Sequence, residues 1–140
     1  AKVVEASKDN PVFYVQYAHA RISSLKRKAA EAGVDIGAPA DLDLLDEEEL
    51  ALVRLAAQYP RTLEGAAATH EPHRIAFYLY DLAAAFHALW HRGNDDPDRR
   101  FLVENNPELS RARLELALGI AQVIRSGLAL MGVTPTEEMR

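Results

Sequence analysis

Asp9-Asn10-Pro11-Val12-Phe13-Tyr14-Val15-Gln16-Tyr17-Ala18-His19-Ala20-Arg21-Ile22 decides how the chain is read. Asp9 or Asn10 can cap a helix, and Pro11 suits its first turn. No further Pro or Gly interrupts the chain before Gly33, a suitable C′ residue. The spacing therefore predicts a helix over about 11–32. At 100° per residue this helix carries two stripes. Val15, Ala18, Ile22, Leu25 and Ala29 form an apolar one. Tyr14, Tyr17, Arg21, Ser24 and Lys28 form the other, centred roughly 90° away. The first stripe needs a core. The second lies at the rim of that core and offers phenols, a guanidinium, a hydroxyl and an ammonium. Such a mixture can stack on bases and hold phosphates. Read alone, the stretch reads first as an ordinary amphipathic helix with half-buried tyrosines.

The rest of the chain repeats the helical theme. Gly33 to Pro39 reads as a loop. Asp46-Glu47-Glu48-Glu49 puts acids where a helix dipole favours them, so a second helix is expected over about 46–58. Pro60 starts a third, about 60–69, rich in small residues. Pro72 opens a fourth that runs to about His91 and stops before Gly93, with Ile75, Leu79, Leu82, Phe86 and Leu89 as its core stripe. Asn94 to Asp98 reads as a loop, and 98–103 as one further helical turn. Asn106-Pro107-Glu108 is a cap, a first-turn proline and an acid. The fifth helix follows over about 107–131, with Leu109, Leu116, Ile120, Val123 and Leu128 inward. Gly119 and Gly127 inside it are expected to mark close approach of a neighbour, and Val133-Thr134-Pro135 a tail folded back. With no convincing strand pattern and no repeat, the fold class is all-α: a single bundle of about five helices over 9–140. Residues 1–8 read as the remnant of a connection to a preceding domain. The start at Ala1 rather than Met fits an excised fragment.

A length of 140 residues fits one domain that can bury a core without staples. The absence of cysteine excludes disulfides and thiolate metal sites, which is compatible with a cytoplasmic location. No apolar run is long enough for a membrane span. A net charge of −5 argues against generic nucleic-acid binding, but the charge is uneven. Residues 1–33 hold six Lys/Arg against three acids, and residues 34–64 two against eight. Lys26-Arg27-Lys28 lies directly after the aromatic stretch. The run Asp41 to Glu49 reads as a solvated helix start, placed away from any polyanion.

Two chemical classes find little support. Five histidines invite a metal, and His87 and His91 share a helix face. Yet no Glu-x-x-His pairing accompanies them, and His70-Glu71-Pro72-His73 is one residue short of His-Glu-x-x-His. No metal is expected, and a metal-dependent enzyme would have to show metal on purification. No Gly-rich phosphate loop or nucleophile elbow appears, so no catalytic residue is assigned.

The opening run Pro11 to Ile22 strongly resembles the first helix of the C-terminal helical anticodon-binding domain of arginyl-tRNA synthetases. The resemblance resumes in Glu71-Pro72-His73-Arg74-Ile75-Ala76-Phe77-Tyr78-Leu79-Tyr80-Asp81-Leu82-Ala83, in Arg111-Ala112-Arg113-Leu114, in Val123-Ile124 with Gly127-Leu128, and in Met131-Gly132-Val133-Thr134-Pro135 with Glu138-Met139. These segments stand in the family's order across nearly the whole chain. The resemblance implies a domain that binds the anticodon loop of tRNA(Arg) and orients it for ATP-dependent arginylation by a catalytic domain of the same full-length chain. That domain's signatures are absent here, so no cofactor is expected in this stretch, with ATP and arginine bound elsewhere. The implied RNA-binding positions are Tyr14, Arg21, Trp90 and Met139, with Tyr17 beside them on the rim stripe. The chain departs by ending in an extra Arg140 and by Trp90 where some relatives have Tyr, which leaves the fit to one base open. Read alone, Trp90 also suits a core aromatic at a helix end. From a different class, a helical protein–protein interaction module could use the Tyr14/Tyr17 face.

Overall fold

In the computed structural model, which describes residues 11–138, the apolar stripes become five α-helices: α1 (Pro11–Glu31), α2 (Glu47–Ala57), α3 (Tyr59–Thr69), α4 (His73–Asp95) and α5 (Pro107–Leu130). No strand occurs among the described residues. The expected cap at Asp9 or Asn10, the connecting remnant 1–8, and Met139 with Arg140 lie outside them. None of these helices is long and apolar enough to cross a membrane.

α4 is the central element and packs on all four other helices, while α1 lies against α4 and α5. Val15, Ala18, Ile22, Leu25 and Ala29 of α1 are buried, as the stripe requires, and so are Ile75, Leu79, Leu82, Phe86 and Leu89 of α4. Gly33 takes φ 82° just past α1, and Val34 N donates back to Ala29 O at 2.9 Å, a Schellman closure. Tyr78 Oη donates to Leu55 O (2.7 Å) and Ala56 O (3.1 Å), which satisfies last-turn carbonyls of α2. Burial and the neighbouring Tyr59 push the Tyr78 phenol up to about 12.

Four local expectations need correction. α4 does not stop before Gly93 but continues to Asp95. Gly93 is there because the returning chain crosses it: an added Cβ would sit 2.8 Å from Arg100 Cγ and 3.1 Å from its Cα. The turn expected at 98–103 is a 3-10 turn at Pro97–Arg99, after which Phe101 is buried. Of the two glycines in α5, only Gly127 meets a neighbour, with Leu79 Cδ1 2.7 Å from an added Cβ; Gly119 faces open space. The acidic run is not solvated throughout. Glu49 is 1% exposed; its Oε1 accepts from Asp46 N (2.9 Å) and its Oε2 from Arg113 Nε (2.7 Å). One carboxylate thus completes a capping box and a buried ion pair, so its charge is compensated where it lies.

Candidate functional site

The rim stripe of α1 faces the second half of α4 across a cleft of ≈ 340 Å³ lined by Tyr17, Arg21, Ser24, Arg27, Lys28 and Trp90, with Glu137 and Glu138 at its lip. The helical spacing puts Tyr17, Arg21, Ser24 and Lys28 on this wall, and the α1–α4 packing supplies Trp90 opposite. Three of the five expected residues, Tyr17, Arg21 and Trp90, therefore meet in one place.

Arg21 is the centre of the arrangement. Its Nη2 donates to Tyr17 Oη (2.9 Å) and its Nη1 to His87 Nδ1 (3.0 Å). Its guanidinium carbon lies 4.9 Å from the Trp90 ring centroid and 4.7 Å from that of Tyr17, both within cation–π range. No ion pair among the described residues involves Arg21. Partial burial lowers its pKa, an effect opposed by the Tyr17 phenol, yet a guanidinium so placed stays protonated. The cleft thus holds an ordered cation, without an ion-pair partner among the described residues, between two aromatic faces, which suits a phosphate beside a stacked base.

Trp90 is half-buried and braced from behind. Its ring stacks on Phe101 (centroids 5.8 Å, interplanar 26°) and lies 6.2 Å from Phe86. Trp90 thus packs on the core, as an aromatic at a helix end would, and also lines the cleft. Trp90 also lines a second hollow, with Leu25, Lys28, Gly93, Asn94, Arg100 and Phe101.

Tyr14 does not line the cleft. It packs on Tyr80 (5.1 Å) and His87 (4.7 Å), one turn of α1 before Tyr17, and extends the aromatic surface along the helix. Met139 lies outside the described residues. The segment leading to it is placed, however. Gln16 Nε2 donates to Thr134 O (2.7 Å), Gln16 Oε1 accepts from Thr136 N (2.6 Å), and His19 Nδ1 donates to Thr136 O (2.7 Å). This strap buries His19 and brings Glu137 and Glu138 to the cleft.

His87, considered from the sequence only for a metal, is the residue most clearly missed. It is buried on α4 and contacts the rings of Tyr14, Tyr17 and Phe86. A guanidinium can only donate, so Nδ1 accepts and the imidazole is neutral. Burial, then the Arg21 charge, pushes His87 down to about 4. Its spacing of three from Trp90 was the available signal. Among the described residues no group of three or more His, Asp and Glu side chains could hold a metal ion.

Comparison with known proteins identifies the family. Residues 15–139 match the family model described as the DALR anticodon binding domain. An arginine–tRNA ligase from Novosphingobium aromaticivorans is 62% identical over 139 residues, covering 99% of this chain and 24% of that protein. A solved chain from Campylobacter jejuni superposes over 96% of this chain and 28% of its own, with a TM-score of 0.79 and 29% identity. The Thermus thermophilus arginyl-tRNA synthetase superposes over 90% of this chain and 21% of its own, with a TM-score of 0.68 and 29% identity. The chain spans about a quarter of the length of the curated relatives it matches.

Proposed function

Since the chain belongs to the DALR anticodon-binding domain family, we propose that it is the anticodon-binding part of an arginyl-tRNA synthetase and grips the anticodon loop of tRNA(Arg) through Tyr14, Tyr17, Arg21, Trp90 and Met139. In this reading residues 9–140 form the binding unit, and residues 1–8 lead from a catalytic domain that holds ATP and arginine. The full-length protein is then a cytoplasmic arginine–tRNA ligase, and this part orients the tRNA without performing the chemistry.

The observation that carries the reading is the cleft joining Tyr17, Arg21 and Trp90, with Arg27 and Lys28 beside them. An unstacked loop base offers a π-face to Trp90 and Tyr17, worth about 1–3 kcal/mol per base. In this reading Arg21 and Lys28 take the phosphates on either side of such a base. The overall negative charge of the chain is uneven: six acids stand in 41–49, on α2 and the turn before it, where Asp46 and Glu48 pair with Arg92, and at the cleft Glu137 and Glu138 stand beside Arg21, Arg27 and Lys28.

Binding of cognate and non-cognate tRNA by the full-length protein at two salt concentrations tests the proposal. Tighter binding of tRNA(Arg), weakening as salt rises, is the expected result. Equal affinity for both tRNAs, or a salt-independent affinity, would reject it.

A further inference from the structure

Resting on the anticodon-binding reading, the geometry points to His87 as a positioning residue: its neutral imidazole fixes the Arg21 guanidinium between Tyr17 and Trp90 while leaving the guanidinium's charge available to an RNA phosphate.

The argument begins with what an arginine at this place requires. A free arginine samples many rotamers, and ordering one on binding weakens the complex. Arg21 is already ordered, because Tyr17 Oη holds one terminal nitrogen at 2.9 Å and His87 Nδ1 the other at 3.0 Å. Tyr17 lies on the same helix, one turn away, and is 37% exposed. His87 lies on α4, is almost wholly buried, and is clamped by Tyr14 at 4.7 Å and Phe86 at 5.7 Å. It is therefore the rigid one of the two anchors, and the one that fixes Arg21 relative to Trp90 of the same helix.

The choice of acceptor matters as much as its position. A buried arginine is ordinarily held by a carboxylate, as Arg113 is by Glu49. A carboxylate at position 87 would orient Arg21 equally well but cancel its charge. A neutral imidazole orients it and cancels nothing. Burial and the Arg21 charge keep His87 unprotonated down to about 4, so this state holds through the physiological range. The groups facing the imidazole are Arg21, Tyr14 and Tyr17 from α1 and His91 on its own helix, none of them an anion at neutral pH. The backbone of Tyr14 also reaches the imidazole and favours its proton, an effect that burial and the Arg21 charge outweigh.

The test measures tRNA(Arg) affinity of the full-length protein over a salt series, with thermal melts, for His87→Leu, His87→Asn, His87→Asp and Arg21→Ala. His87→Leu removes the acceptor and keeps the bulk; it should melt no lower than wild type yet bind about three- to tenfold more weakly. His87→Asn presents Oδ1 near the former Nδ1 and should restore binding to within about twofold. His87→Asp should lower the slope of log affinity against log salt by about 0.7, the value of one single-strand phosphate contact, while His87→Asn keeps the wild-type slope. In an Arg21→Ala background His87→Leu should have no further effect. Wild-type affinity in His87→Leu, an asparagine no better than leucine, or an unchanged slope in His87→Asp would each overturn the proposal. If Arg21→Ala itself binds as wild type, the anticodon site is wrong and the proposal falls with it; a loss in Arg21→Ala without one in His87→Leu rejects only the positioning role.

Discussion

Arg21 and Ile22 are neighbours in sequence with opposite duties. Arg21 sits in the cleft, whereas Ile22 is 1% exposed in the core. Ile22→Ala should cost about 2–5 kcal/mol of fold stability by opening a cavity. Arg21→Ala should change stability by no more than about 1 kcal/mol but weaken tRNA binding roughly tenfold to a hundredfold. Melts and binding curves on the pair separate fold from function. His87 adds a pH-dependent term at the same scale. Its value is about 4 in the fold against an ordinary 6.5. Between those values the unfolded chain binds a proton that the folded chain refuses, so stability is complete above 6.5 and is lost as pH falls towards 4. The full effect is on the order of 3 kcal/mol. Melting temperatures recorded across this window should fall more steeply for wild type than for His87→Leu; parallel curves would show that His87 is not held neutral by the fold.

Helices were legible in the sequence wherever one apolar stripe faced one core. The buried positions named for α1 and α4 follow directly from period 3.6. What a single helix cannot reveal is which chain returns across it. Gly93 looked like a helix end because glycine commonly follows one, yet it lies inside α4 to let Arg100 pass. Gly119 and Gly127 looked alike for the same reason, and only Leu79 on another helix distinguishes them. Gly127→Ala should therefore cost about 1–3 kcal/mol, because Leu79 is fully buried and has nowhere to move. Gly119→Ala, exposed in mid-helix, should stabilise by about 0.5–1 kcal/mol through lost backbone freedom in the unfolded chain. Denaturant midpoints measured on both variants decide the matter; equal shifts would mean that α5 tolerates a β-carbon against α4. The candidate site was legible to the same degree. Tyr17 and Arg21 follow from one helix wheel, while His87 and the strap over Gln16 and His19 depend on contacts distant in sequence.

The whole molecule connects the acidic end to the cleft through Arg113. Its Nε donates to Glu49 Oε2, and its Nη1 to Asp98 O and Arg100 O, each at 2.7 Å. Glu49 in turn closes the capping box of α2 and lies 3.6 Å from Arg92 of α4. The segment held by those carbonyls delivers Phe101, on which Trp90 stacks. Losing Arg113 alone leaves a buried carboxylate without its closest cation and two carbonyls without a donor. Arg113→Met should therefore cost about 3–5 kcal/mol. Arg111 provides the matched control, since it is equally buried but holds Ile36 O (2.7 Å) and Ala38 O (2.9 Å), on the loop after α1. Trp90 is the single tryptophan of these 140 residues, so in a protein of this stretch its fluorescence reports the surroundings of Phe101 and the cleft. In Arg113→Met, measured where the chain is still folded, Phe101 should loosen, the Trp90 emission should shift to the red, and tRNA affinity should fall. In Arg111→Met the emission and affinity should stay at wild-type values even where stability is lost. If both variants melt early but neither moves the emission, Phe101 is held by its own burial, and the path from Glu49 to the cleft ends at Arg113.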